Sequence, residues 1–278
     1  LTLFFVGMGL HDHLDLTFKG VEIARRCDKV YVELYTSLMA GLNLRKLEEI
    51  LGRKVHVLSR GDLEGAKAQE ILREAMEDDV ALLVPGDPFI ATTHIALKIE
   101  AKKLGVEVKT VHAASIASAI PGLTGLSFYK FGRKATVVYP EPNYRPEAAY
   151  DVVKENLLRG LHTMLLLDVK AEQGLYMTVP EALRILLDVE EKRREGVLSP
   201  EALAVGVSRA GSLNPEVKAC SIERLLSLDL GPPPHTLVIP GDLHFMEEEA
   251  LMYLCGATKD EVEVHKRRLK LLREVRAL

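Results

Sequence analysis

The sequence predicts two α/β domains, and three observations carry that expectation. The chain has 278 residues, where one domain takes roughly 100–200. Short β-rich runs alternate with amphipathic helical stretches along its length. Three glycines (Gly122, Gly125, Gly132) fall within 122–134, where the texture changes. The expected division is an amino-terminal domain over 1–122, a carboxyl-terminal domain over 135–256, and a charged terminal helix over 257–278.

In the first domain, Leu3 to Val6 reads as a strand that Gly7-Met8-Gly9 breaks. Thr17 then caps a helix with Val21, Ala24 and Cys27 on one face. Lys29 to Leu34 is a strand and Leu44 to Leu51 a helix. Val55 to Leu58 is a strand, followed by a charged helix from Asp62 to Met76. Val80 to Val84 (VALLV) is continuously apolar, as a central parallel strand covered on both faces should be. A helix from Thr92 to Leu104 takes Thr92 or Thr93 as its cap and stops at Gly105. Val106 to His112 is a strand, and Ala114-Ser115-Ile116 opens a short helix ended by Pro121-Gly122. Such alternation with short connections argues for a mainly parallel, doubly wound sheet.

In the second domain, Ala135 to Tyr139 is a strand, and a helix runs from Pro146 to Arg159 with proline in its first turn. Thr163 to Val169 is a buried strand. Thr178-Val179-Pro180-Glu181 is a capping-box start to a helix ending near Arg194. Leu203 to Val207 is a strand, Ser221 to Leu228 a helix, and Thr236 to Ile239 a strand stopped by Pro240-Gly241. A last helix closes the domain near Cys255.

Composition narrows the function classes. Hydrophobic residues make up 47% and charged residues 27% of the chain, which rules out a disordered or collagen-like polymer. The 36 basic against 40 acidic residues provide no global cationic field for nucleic acid. Three cysteines, odd in number and far apart, suit reduced core residues of a cytosolic protein. No apolar run approaches the roughly 20 residues of a membrane helix, and the amino terminus reads as a first strand rather than a signal peptide. Residues 259–278 carry seven Lys/Arg and four Asp/Glu, with an apolar stripe of Val262, Leu269, Leu272 and Val275. That pattern suits a docked terminal helix in preference to a phosphate-binding arm.

Few motifs speak directly to chemistry. Gly7-Met8-Gly9 lacks the third glycine of a dinucleotide fingerprint, because Asp12 stands there. No P-loop, HExxH or Gly-x-Ser-x-Gly pattern occurs, and His11 and His13 have no third ligand close in sequence, so no metal site is expected. Gly86-Asp87-Pro88 follows the most apolar strand, where ligands of open α/β sheets bind. Asp87 is either a turn aspartate or an acceptor for a ligand hydroxyl or amine. Ser115 either caps its helix or contacts a ligand. Arg209-Ala210-Gly211-Ser212 follows one strand, and three prolines lead into His235, which reads as structural rather than catalytic.

Eight segments resemble a known family in collinear order: FFVGMGL (4–10), YTSLMAG (35–41), VPGDPFIATTH (84–94), HAASI (112–116), LTGLSFYKFG (123–132), LHTMLLLDVKAE (161–172), SRAGSLNP (208–215) and PPHTLVIPGDLH (233–244). They resemble the diphthine synthase family, in the tetrapyrrole-methylase-like class of S-adenosylmethionine-dependent methyltransferases. The similarity spans residues 1 to about 256. It implies two α/β domains with an inter-domain cofactor cleft, a homodimer, and no metal. It also implies that Leu10, Asp87, Ile90, Ser115, Ile116, Leu167, Ala210 and His235 match the family's contacts to S-adenosylmethionine, whose product is S-adenosylhomocysteine. The implied protein substrate is translation elongation factor 2, on whose 3-amino-3-carboxypropyl-histidine the amine is methylated to diphthine. No general base is indicated. Tyr129 and Tyr139 either hold the growing cation by a cation–π contact or pack at the domain junction. A corrin, porphyrin or ribose methylase, a nicotinamide oxidoreductase and a non-catalytic binding module are the competing readings.

Overall fold

The structure is a computed structural model that describes residues 1–142 and 144–274. It divides into two compact units: residues 1–119 with 169–175, and residues 120–168 with 176–278.

The first unit runs β1 (Thr2–Gly7), α1 (Phe18–Arg26), β2 (Lys29–Glu33), α2 (Leu44–Leu51), β3 (His56–Leu58), α3 (Arg60–Leu63), α4 (Ala66–Glu77), β4 (Val80–Val84), α5 (Ile95–Lys103), β5 (Glu107–Val111) and the start of α6 (Ile116–Thr124). Its five strands form one parallel sheet in the order β3-β2-β4-β1-β5. The period-2 alternation of side chains sorts the core into two faces. Val6, Val30, Val32, Ala81 and Leu83 pack with α1 and α2. Leu3, Phe5, Tyr31, Val80, Leu82 and Val84 pack with α4 and α5. All five residues of β4 are buried, as a strand covered on both faces requires.

The second unit holds β6 (Ala135–Val137), α7 (Ala148–Leu158) and β7 (Thr163–Leu167); the short β8 (Val169–Lys170) and the first residue of β9 (Leu175–Tyr176) belong to the first unit, after which the second unit resumes with α8 (Val179–Arg193), β10 (Leu203–Ser208), β11 (Glu216–Ser221), α9 (Ile222–Ser227), β12 (His235–Ile239), α10 (Phe245–Tyr253) and α11 (Lys259–Glu274). Its sheet, β11-β10-β12-β7-β6, is mixed: β6 and β7 are parallel, and every other pair is antiparallel. Leu165, Leu167, Ala204, Leu237 and Ile239 face a single core closed by α7, α8, α9 and α11.

Several sequence expectations shift. The helix expected over 62–76 is two: a Ser59–Asp62 capping box starts α3, and Gly65 separates it from α4. A Cβ at Gly65 would stand 2.6 Å from the Gly61 carbonyl, so the break needs glycine. Neither Thr92 nor Thr93 caps α5. The Thr92 hydroxyl donates to the Pro88 carbonyl, and His94 occupies the cap position without a side-chain cap bond. Pro121 lies inside α6 instead of ending it. Pro146 precedes Glu147, the cap of α7, and so stands outside the first turn. Strand β11 has no counterpart in the sequence reading; as an edge strand with Glu216 and Lys218 it lacks the apolar run of a central one. By contrast, the Thr17 cap and the Thr178–Glu181 capping box form as expected.

The three cysteines are free and buried. Burial pushes their thiols up, to about 12 for Cys27 and about 11 for Cys255, which makes them protonated packing groups. Helix α11 buries Val262, His265, Leu269 and Leu272 against the second unit. Arg273 donates to the Leu157 carbonyl and pairs with Asp242 at 2.8 Å. Val275, the last residue of the expected stripe, lies outside the described residues. No described helix is long and apolar enough to cross a membrane.

Candidate functional site

In the first unit the sequence-predicted residues gather at the carboxyl edge of the sheet. Neighbouring strands β1 and β4 feed helices on opposite faces, which makes their ends a topological switch point where α/β folds bind ligands. The two strand ends are tied together: the Gly86 amide donates to the Gly9 carbonyl at 2.6 Å, and the Met8 amide to the Val84 carbonyl at 2.8 Å. Gly7 is required by space, since a Cβ would lie 2.7 Å from both the Gly86 carbonyl oxygen and the Ala113 Cβ. Gly9 has φ +79° and a Cβ there would be 2.3 Å from the Asp15 Cβ. Asp15 in turn accepts from the amides of Leu10 (3.0 Å) and His11 (2.6 Å), which fixes the backbone carrying Leu10.

Gly9→Ala therefore collides with the residue that shapes this turn and adopts a disfavoured φ. We expect a loss of about 2 kcal/mol, read as a lower urea midpoint. An unchanged midpoint would show that the Asp15 loop yields freely.

Asp87 is 8% exposed. Its Oδ1 accepts from the Phe89 amide at 3.1 Å, and its Oδ2 accepts from His112 Nδ1–H at 2.7 Å. It is thus both a turn residue and a pinned carboxylate with acceptor sites to spare, since an ionised carboxylate offers about four. His112 was not singled out from the sequence, although it ends the neighbouring strand run. Ser115 is buried at the start of α6. Its carbonyl accepts from the Ser118 and Ala119 amides, while its own amide donates to the Ser118 hydroxyl. The cap thus runs through the Ser115 backbone and the Ser118 side chain. Ile90 exposes 46% of its surface, and Leu10 and Ile116 are half-buried, so apolar surface accompanies the carboxylate.

A second buried cluster at this edge escaped the sequence reading. Glu33, the last residue of β2, is fully buried. It accepts from the amides of Tyr35 and Thr36 (both 3.1 Å), from the Thr36 hydroxyl, and from His94 Nε2–H at 3.2 Å. It holds the start of the 35–41 segment. The only local signal is an acidic residue closing an otherwise buried strand.

In the second unit, Leu167 ends β7 and is buried. His235 begins β12 opposite Ser208 of β10. Both of its ring nitrogens are engaged: Nδ1 accepts from the Val179 amide at 3.2 Å and Nε2–H donates to the Gly231 carbonyl at 2.9 Å. Burial, with the Arg209 charge adding to it, lowers its pKa below the ordinary 6.5 and keeps it neutral. His235 is therefore a structural brace, as read from the sequence. Ala210 lies in the turn after β10, beside Arg209, whose φ is +51°. Tyr139 packs against the second-unit core and its phenol is pushed up by burial. Tyr129 is 92% exposed, so it packs into no core of its unit. Among the described residues no group of three or more His, Cys, Asp or Glu is placed to hold a metal ion.

The residues present fit a ligand with hydroxyl or amine donors and some apolar surface: one pinned carboxylate with acceptor sites to spare, Gly86, around whose would-be Cβ no atom lies within 4 Å, and the exposed Ile90 side chain. Residues 2–226 match the family of tetrapyrrole (corrin/porphyrin) methylases. The chain is 47% identical over 255 residues to diphthine synthase of Methanocaldococcus jannaschii, covering 91% of this chain and 98% of that one. It is likewise 47% identical over 253 residues to diphthine synthase of Methanococcus aeolicus, with 91% and 98% covered. A crystal structure of diphthine synthase superposes with a TM-score of 0.86 at 38% identity, covering 95% of this chain and 99% of that one. On family match, identity, coverage and fold together, this chain belongs to the diphthine synthase family of tetrapyrrole methylases.

Proposed function

We propose that the protein transfers methyl groups from S-adenosylmethionine to the amine of the 3-amino-3-carboxypropyl-histidine of translation elongation factor 2, giving diphthine in diphthamide biosynthesis. The observation that carries this reading is the 47% identity to a diphthine synthase along 91% of the chain. Leu10, Asp87, Ile90, Ser115 and Ile116 of the first unit, with Leu167, Ala210 and His235 of the second, are proposed to hold the cofactor. When bound, S-adenosylmethionine supplies a methyl group activated by its sulfonium centre. Asp87 accepts hydrogen bonds from the cofactor's hydroxyl or amine groups, and His112 and the Phe89 amide keep its carboxylate oriented. The aliphatic side chains exclude water. Orientation in a dry site is the main contribution asked of the protein. We further propose a homodimer, which sedimentation of the purified protein tests, and a cytoplasmic location, which cell fractionation tests.

Calorimetry tests the cofactor assignment. Wild type should bind S-adenosylhomocysteine and not NAD, and Asp87→Ala should weaken S-adenosylhomocysteine by about tenfold or more, the scale of one lost charge-assisted hydrogen bond. Mass spectrometry of precursor-modified elongation factor 2 then reads the added methyl groups. Folded wild type that binds no S-adenosylhomocysteine would overturn the reading.

A further inference from the structure

Among the described residues, the turn after β10 holds a guanidinium whose buried Nε has no acceptor. Arg209 and Ser212 are fixed by the backbone: the Arg209 amide donates to the Pro234 carbonyl at 2.9 Å, and the Ser212 amide donates to the Arg209 carbonyl at 2.9 Å. Arg209 is held at φ +51°, a left-handed conformation unusual for a long side chain. Ser208, which precedes it, donates its hydroxyl to the Pro232 carbonyl at 2.8 Å. The guanidinium lies over Gly231, where a Cβ would come within 3.4 Å of Nη2. Its Nε is buried and has no hydrogen-bond partner; the Ser212 hydroxyl is likewise buried and unpartnered. Among the described residues the guanidinium makes no hydrogen bond or ion pair. Asp229, two residues before Gly231, accepts from the Gly231 amide instead.

A buried guanidinium donor and a buried hydroxyl three residues apart, both without acceptors, are costly for the free protein. Backbone strain at the same residue adds to that cost, and such strain concentrates at ligand sites. We infer that Arg209 and Ser212 form a carboxylate-binding subsite for an aminocarboxypropyl group. Arg suits a planar, two-oxygen anion, since its fork presents paired N–H donors, and the Ser212 hydroxyl adds a further donor. The neutral His235 beside it neither competes for the anion nor repels the guanidinium as a second full charge.

The inference rests on the proposed methyl transfer, whose two ligands both carry this group. The acceptor histidine bears a 3-amino-3-carboxypropyl chain, and the methionine part of S-adenosylmethionine ends in the same atoms. Two arms of one experiment separate these sources. The first titrates wild type and Arg209→Gln with S-adenosylhomocysteine and with 5′-deoxy-5′-methylthioadenosine, which lacks the aminocarboxypropyl arm. The second measures KM and kcat on precursor-modified elongation factor 2.

If the cofactor's carboxylate is bound, Arg209→Gln weakens S-adenosylhomocysteine by about tenfold or more and leaves methylthioadenosine unchanged. If the acceptor's carboxylate is bound, both nucleosides keep their affinity and KM for the elongation factor rises by about tenfold with kcat retained. Ser212→Ala, which leaves the strained position untouched, should show the same selectivity at about threefold. Unchanged values in both arms overturn the subsite. So does an equal loss of methylthioadenosine, because that ligand carries no carboxylate. Wild type that neither binds S-adenosylhomocysteine nor methylates the factor overturns the proposed function, whereas an active wild type with an indifferent Arg209→Gln overturns the subsite alone.

Discussion

Glu247→Ala should destabilise the protein by about 4 kcal/mol, the scale of removing one partner from a buried charged network. Glu247 is 3% exposed. It accepts from the amides of Ser127 (2.9 Å) and His244 (2.8 Å), from His162 Nε2–H (3.0 Å), and from the Lys130 ammonium. Burial alone would raise its carboxyl, but these donors outweigh that and hold it at about 2. Alanine leaves the buried His162 Nε2–H and the part-buried amides of Ser127 and His244 without their acceptor. It also frees the 127–130 turn from the start of α10. Thermal unfolding followed by circular dichroism should show Tm about 10 °C lower. Glu247→Gln keeps the shape and one acceptor, and should lose about half as much. A change below about 1 kcal/mol for Glu247→Ala would mean that the network does not organise this end of the unit.

Acid should unfold the second unit through His265. This residue of α11 is 3% exposed and donates from Nε2–H to the Gly241 carbonyl at 3.1 Å. Burial, with Arg268 and His162 nearby, brings its pKa from 6.5 down to about 4, against the opposing influence of the Gly241 carbonyl and Asp242. Its folded pKa lies below its unfolded one. Between about pH 6.5 and 4 the unfolded chain therefore takes up a proton that the folded chain refuses. Stability conferred by the neutral imidazole is complete above pH 6.5 and falls as pH drops, by about 3 kcal/mol at pH 4. The lowered pKa values of His162 and His235 act in the same direction. Urea unfolding from pH 7.5 to 4.5 reads the slope, and His265→Gln, whose amide still reaches the Gly241 carbonyl, should flatten it. Parallel slopes for wild type and variant would show that His265 does not titrate in this range.

Both predictions concern residues whose importance is invisible in the order of the amino acids. Glu247 sits in an unremarkable acidic run, and its partner Lys130 is 117 positions away. Glu33 and His94 are separated by 61 positions. Asp87 stood out because glycine and proline flank it at a strand end, yet its partner His112 comes from the next strand and depends on β4 and β5 both flanking β1. Ser115 was correctly suspected as a cap position, but the hydroxyl that completes the cap belongs to Ser118.

Elements were legible where a local rule was strong. VALLV could only be a strand covered on both faces, and the Thr178–Glu181 spacing fixed the start of α8 through bonds within one turn of chain. Elements were misread where a distant partner diverted the deciding group. The cap of α5 went to His94 without a cap bond because its ring turns to Glu33 and Thr92 bonds back to Pro88. The edge strand β11 was missed because its form comes from pairing with β10 and not from its own pattern.

The amino-acid sequence by itself determined the α/β alternation, the strand ends that bear the candidate residues, and the family to which they belong. Those follow from hydrophobic period, capping and turn chemistry, which act over a few residues. Only the tertiary structure decided the strand order of the first sheet and the mixed pairing of the second, that His235 is held neutral by burial, and that among the described residues the Arg209 guanidinium has no acceptor while the Glu247 carboxylate has several donors. These properties arise when distant segments are brought together and removed from water, because burial makes each donor and acceptor depend on what the fold places beside it.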